Sequence, residues 1–199
     1  QETAQTDPAP VPAGWPVRTF GRGEEMLALA LTSLAAVYLV AGLVVLAPRK
    51  AGYSHIKHSI SELGEFGAPD QRLVALGLFL PIGLLLLLVA ILVHPASPAA
   101  ATLALCVAIG YLGAAAFPCD PGSPLFGTTR QTLHNLAGTV EYAGGGFALM
   151  ALAASMGQPF KIAGFIVLGT AIALSVLPWG SVRGIIQRVA EACLFGGIA

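Results

Sequence analysis

The chain is 199 residues long, 56% hydrophobic and only 10% charged, with ten basic residues balanced by ten acidic ones. Soluble domains carry about 25% charged residues, so this composition excludes a water-soluble fold. A net charge of zero also argues against a nucleic-acid surface, leaving membrane lipids, small molecules or other membrane protein subunits as partners.

A mean hydropathy of +0.79 and several apolar runs of near-spanning length predict an all-α, polytopic transmembrane bundle of about six helices. Each crossing needs ~20 residues for ~30 Å of hydrocarbon, and backbone groups in lipid must be bonded within their own segment. Residues 1–23 read as a flexible extramembrane segment, rich in Pro and Ala and without apolar period, and 24–199 as one transmembrane helical domain. The chain opens on Gln1 rather than Met, which fits either a removed signal peptide or a shortened chain. Trp15, Arg18 and Arg22 have the character of interfacial anchors.

The first helix is expected from Glu24 to Leu46, closed by Pro48, Arg49 and Lys50. Next comes the densest polar stretch, YSHIKHSISELGEFGAP from Tyr53 to Pro69. Ser59 and Glu62 have the S-x-x-E spacing of a capping box, leaving the Ser61 hydroxyl available as a nucleophile or ligand donor. His55 and His58, three apart, fall on one face of a helical segment and form a candidate metal pair; an exposed interfacial pair is the alternative.

A second helix is expected from Arg72 to His94 with a kink at Pro81, and a third, antiparallel to it, from Ala99 to Phe117. Gly110 and Ala114 offer small-residue packing in the third. Asp120-Pro121-Gly122 is a turn signal, and Thr128 with Gln131 has capping-box spacing, so a fourth helix should run from Thr129 to Ser155. His134 then lies in its first turns and Glu141 two turns deeper on the same face. Such a carboxylate lines a cavity or is paired. The Gly144 to Gly146 run suggests close helix packing. A fifth helix is expected from Phe160 to Leu177, ending at Pro178 and Trp179. A sixth, from Arg183 to Ala199, is short for a full crossing: half-spanning, oblique, or continued beyond the given chain.

Cys106 and Cys193 read as packing residues, and Cys119 as a loop thiol beside Asp120. The loops after helices one, three and five carry Arg49, Lys50, Lys57, Arg72, Arg130, Arg183 and Arg188, against Arg18, Arg22 and Lys161 on the other side. That asymmetry predicts an external amino terminus and gathers the polar motifs at one end. There Asp120 can meet His134 as a metal site, a general-base pair or a loop-pinning hydrogen bond. Arg188 can pair with Glu191 or Glu141, or hold an anionic head group.

Tyr53, SISELG at 59–64, GAP at 67–69, FPCDPG at 117–122, His134 and QRVAE at 187–191 together resemble the DUF998 family of bacterial and archaeal six-helix membrane proteins. The resemblance implies a multi-pass protein of the bacterial inner (plasma) membrane and no particular activity. In layout the polar end is also similar to the CREST membrane hydrolases, which include alkaline ceramidases; on that likeness Ser61, Asp120 and His134 are the catalytic candidates. The late H-x-x-x-H pair of that group is missing, so zinc would have to be held by His55, His58 and His134. Glu62, Glu141, Arg188 and Glu191 are the candidates for binding the substrate head group. Two functions follow as expectations: a lipid-directed hydrolase with a head-group site, or a non-catalytic accessory subunit of a larger membrane complex. Haem between His134 and a first-loop His is disfavoured, because that loop lies near the surface.

Overall fold

The computed structural model describes residues 21–177 and 181–199. The extension at 1–20, with Trp15 and Arg18, and the Pro178-Trp179 stop lie outside the described residues. Within them the chain forms six helices and no strand: α1 (Arg22–Leu46), α2 (Gln71–Val93), α3 (Pro98–Ala116), α4 (Thr129–Met156), α5 (Gln158–Val176) and α6 (Arg183–Ile198). The first five are long and apolar enough to cross a membrane.

α1 shows why the bundle belongs in lipid. Its buried positions, Ala28, Thr32, Ala35, Leu39, Leu43 and Leu46, recur at spacings of three and four and make one inward stripe. Its outward positions are equally apolar: Val37, Val40 and Val44 are each at least 60% exposed. Exposed apolar surface of this extent is unfavourable in water at about 25 cal/mol per Å², so these faces contact lipid. The helix starts at Arg22, ahead of the expected Glu24, because the Glu24 carboxylate turns back to accept the Gly21 N–H at 3.2 Å.

α2 does contain Pro81, and the disturbance appears one turn earlier, as a π turn over Ala75–Phe79. Pro81 has no N–H for the Gly77 carbonyl four residues back. The Tyr38 hydroxyl of α1 donates to that carbonyl at 2.5 Å, so a vacancy in one helix becomes a tie between two. A short turn leads to α3, capped by Ser97 Oγ accepting from the Ala100 N–H at 3.3 Å. α3 is central, packed against α2, α4 and α6, while α5 covers α4 and α6.

α4 contains a second π turn, Val140–Gly144, which carries Glu141 and Tyr142 into the interior. Its last residue, Gly144, and the two glycines after it serve three neighbours. A β-carbon at Gly144 would lie 2.7 Å from Cys106 of α3, one at Gly145 2.6 Å from Leu194 of α6, and one at Gly146 2.7 Å from Leu168 of α5. Consecutive helical positions point about 100° apart, so one Gly run lets α4 approach three helices. α6 presents Arg183, Gln187, Ala190, Glu191 and Leu194 inward. Its polar members, four residues apart, form a stripe facing the bundle.

Candidate functional site

The three polar motifs meet at one end of the bundle, held by backbone groups as much as by side chains. The Phe66 N–H donates to the Cys119 carbonyl at 2.8 Å, and the Gly122 N–H to Glu65 Oε2 at 2.9 Å. The Ile185 N–H donates to the Ile56 carbonyl at 3.1 Å, and Gly184 lies so close to the 55–58 carbonyls that no side chain would fit. In the first loop the expected capping box is present: the Ser59 N–H donates to Glu62 Oε1 at 2.7 Å and the Glu62 N–H to Ser59 Oγ at 3.3 Å, opening a 3-10 turn, Ser61–Gly64. Glu62 is thus engaged in the cap, although it also borders the outer of the two cavities described below. Lys50 Nζ pairs with Glu65 at 2.7 Å and donates to the Glu62 carbonyl.

Asp120 does not meet His134. It accepts from the Thr128 N–H and the Thr128 hydroxyl, both at 2.9 Å, and from Arg130 at 2.5 Å. The Thr128 amide, then the Arg130 and Thr128 side chains, hold its carboxyl below the ordinary value. Its work is to organise the start of α4, where Thr128 Oγ1 caps the Gln131 N–H at 3.2 Å. Gln131, fully buried, receives the Asp120 N–H at 2.6 Å instead of closing the expected box. His134 turns its Nδ1 to the Phe117 carbonyl at 2.9 Å. A carbonyl only accepts, so Nδ1 carries the proton and the lone pair is on Nε2.

The expected metal set is divided. The Ser54 N–H donates to His58 Nδ1 at 2.9 Å, and Arg188 Nη2 lies 3.0 Å from His55 Nδ1. Both rings therefore use Nδ1 as acceptor, which places the proton of each neutral imidazole on Nε2 and leaves neither with a lone pair to spare. Burial and the Arg188 guanidinium hold His55 below its ordinary value. Among the described residues no three His, Cys, Asp or Glu side chains gather to hold a metal ion.

Arg188 likewise departs from expectation, for it pairs with neither Glu191 nor Glu141. It donates to the carbonyls of His55 at 2.8 Å, His58 at 3.1 Å and Gly184 at 2.9 Å, and to the Tyr53 hydroxyl at 2.7 Å. This is a latch between α6 and the first loop. Burial raises the Tyr53 phenol above its usual value despite that cation.

Glu191 is paired with two phenols: Tyr142 donates to Oε1 at 2.6 Å and Tyr111 to Oε2 at 2.9 Å. Gln187 extends the network, giving Nε2 to Tyr142 Oη at 2.8 Å and accepting the Ile60 N–H at 2.6 Å. Glu141 lies beside Glu191, close enough for the two carboxyls to share a hydrogen bond. A methyl group at Gly110 would overlap the Glu141 side chain, so that glycine provides its space.

Two adjoining cavities open among these groups. The inner, about 130 Å³, is lined by Ser61, His134, Glu141, Tyr142, Arg183 and Gln187 among others. The outer, about 720 Å³, includes Lys50, Tyr53, His58 and Glu65 in its wall and shares Ser175 and Arg183 with the inner. Ser61, His134 and Glu141 are thereby brought to one cavity, as the one-end topology implies; Asp120, Arg188 and His55 are not.

A family model described as "Protein of unknown function (DUF998)" matches residues 33–198. The chain belongs to this family. The matched span includes every cavity residue and all of α2 to α6, and with five apolar helices of spanning length the protein is a multi-pass membrane protein. No curated protein and no solved structure matches the chain.

Reading residues one motif at a time left Arg183 as a loop charge and Gln187 as part of the QRVAE pattern, and gave Tyr111 and Tyr142 no role. A signal was present for the first two: Arg183, Gln187 and Glu191 recur every fourth residue in a helix otherwise rich in Ala, Ile, Val and Leu. The tyrosines offered none, since a Tyr in an apolar run is compatible with packing alone.

Proposed function

We propose that this protein binds the phosphate of a membrane-lipid head group in the two adjoining cavities, with Arg183 as the anion-holding residue. The observation that carries this reading is the state of Arg183. It is only 7% exposed and lines both cavities, and among the described residues it donates to the Gly122 carbonyl at 3.3 Å and the Ser123 carbonyl at 3.1 Å. Its Nε has no partner, and no carboxylate forms an ion pair with it among the described residues. Buried charges are normally paired, and a guanidinium fits phosphate in particular. An anionic ligand supplies the missing counter-charge.

The test is lipid retention by the whole protein in nanodiscs, read by native mass spectrometry. Phosphatidylglycerol should be retained over diacylglycerol. Arg183→Gln should lower that retention at least tenfold, whereas Arg49→Gln, which breaks a surface pair with Asp70, should leave it unchanged. Equal retention of the charged and neutral lipids by the unaltered protein would refute the reading without recourse to any variant.

A second reading, hydrolysis of the bound lipid, rests on His134 and Ser61. The proton on Nδ1 leaves Nε2 basic, and Ser61 lines the same cavity. In such a reaction the Ser61 oxygen would add to the ester centre as its proton passes to Nε2; the bond to the leaving alcohol would then break, the alcohol taking that proton from Nε2, and water, deprotonated by the same nitrogen, would release the group from Ser61 and restore its hydroxyl. Phe117, rather than Asp120, would orient the imidazole. Turnover of ester or phosphodiester lipids that survives His134→Gln unchanged would dismiss this reading.

A further inference from the structure

We infer that the head group is zwitterionic: a phosphate held at Arg183 and a primary ammonium held at Glu141, as in a phosphoethanolamine group. The inference rests on the anion-binding reading above and adds the opposite end of the ligand. Glu141 is 7% exposed, lines the inner cavity that Arg183 also lines, and has one carboxyl oxygen, Oε1, with no hydrogen-bond partner among the described residues. Leaving a buried carboxyl oxygen unpartnered is unfavourable, so it stands where a donor is missing.

The neighbours of Glu141 define the donor. Both oxygens of Glu191 accept from Tyr111 and Tyr142, while Gln187 gives one N–H to Tyr142 and accepts the Ile60 amide. Among the described residues none of these groups donates to Oε1 of Glu141. Neither Glu141 nor Glu191 forms an ion pair with a basic side chain among the described residues, so a cation bearing N–H groups is the complement these carboxyls lack. With Arg183 in the same 130 Å³ space, the cavity offers a guanidinium and a carboxyl acceptor, which a zwitterion meets at its two ends. A quaternary ammonium carries no N–H and would leave Oε1 unsatisfied. An anionic head group without an amine would leave the carboxyl pair uncompensated.

The experiment compares phosphatidylethanolamine, its mono-, di- and trimethylated forms, and phosphatidylglycerol on the whole protein in nanodiscs, with retention read by native mass spectrometry. Expected is a preference for phosphatidylethanolamine of at least tenfold over the trimethylated lipid and over phosphatidylglycerol. Glu141→Gln should abolish the preference while phosphatidylglycerol is still retained. Equal retention of the three head groups, or a preference unchanged in Glu141→Gln, overturns the inference and leaves the anion site standing. No retention of any phospholipid over diacylglycerol overturns both. The methylation series needs no variant, so a Glu141→Gln protein that fails to fold does not protect the idea. Competition by free O-phosphoethanolamine separates the two sources of this chemistry: displacement at equal concentration identifies a soluble ligand, and lack of displacement a lipid.

Discussion

Arg188 donates to the Tyr53 hydroxyl at 2.7 Å, joining α6 to a loop 135 positions earlier in the chain. The same guanidinium spans the carbonyls of His55 and His58, so one side chain fixes the path of the whole 53–58 segment. Hydrogen bonds to a charged donor are worth about 1.5–3 kcal/mol when buried, and partial exposure of this one argues for the lower end. Arg188→Ala should lower the unfolding temperature in detergent and raise amide exchange selectively over residues 53–58. Exchange raised evenly over the protein, or not at all, would contradict the latch.

Asp120 supports the start of α4 as a carboxylate. Because its folded pKa lies below the ordinary 3.8, its contribution is fully present above that value and is lost as the pH falls through the lower folded one. Thermal unfolding followed from neutral to strongly acidic pH should show this loss, and Asp120→Asn should flatten it. The variant should also leave the tautomer of His134 unchanged, since Phe117 sets it. A shift in the His134 ring nitrogen signals would restore an Asp120–His134 link.

Cys119 is buried beside Glu65 and Glu62, and burial first, then those carboxylates, push its thiol up to about 12 from 9.0. At pH 8 the thiolate fraction is then about one in ten thousand, so maleimide should label Cys119 only after unfolding, as read by peptide mapping. Folding here favours the bound proton. The associated stability is complete below pH 9.0 and declines as the pH rises through about 12. Rapid labelling of the folded protein would show the loop to be open.

Tyr38 and Pro81 should be energetically coupled. Tyr38→Phe removes the donor to the Gly77 carbonyl and should cost about 1 kcal/mol. In a Pro81→Ala background the helix can supply its own N–H, and the cost of the same change should fall toward zero. Equal costs in both backgrounds, measured by denaturant titration in micelles, would disprove the compensation.

Much of this site is legible in the amino-acid sequence. The capping box at Ser59 and Glu62 can be read there because its two bonds join residues three apart. The gathering of Ser61, His134 and Glu141 follows from helix count, since alternate loops of a bundle share an end. The partners of Asp120 and Arg188 do not. Arg130 and His134 both lie within two turns of the start of α4, and spacing alone does not rank them as partners for Asp120.

Sequence by itself determined the membrane class, the number and approximate limits of the helices, and the end at which polar chemistry collects. These follow from hydropathy and connectivity, which act locally along the chain. Only the tertiary structure decided that Glu191 is held by two tyrosines, that Arg188 latches a loop, and that Arg183 and Glu141 share a cavity with hydrogen-bonding capacity unmet. Helical spacing says which residues share a face, but the groups opposite that face depend on how each helix is rotated against its neighbours. That rotation is set by packing among α3, α4 and α6, where the glycines let the backbones approach.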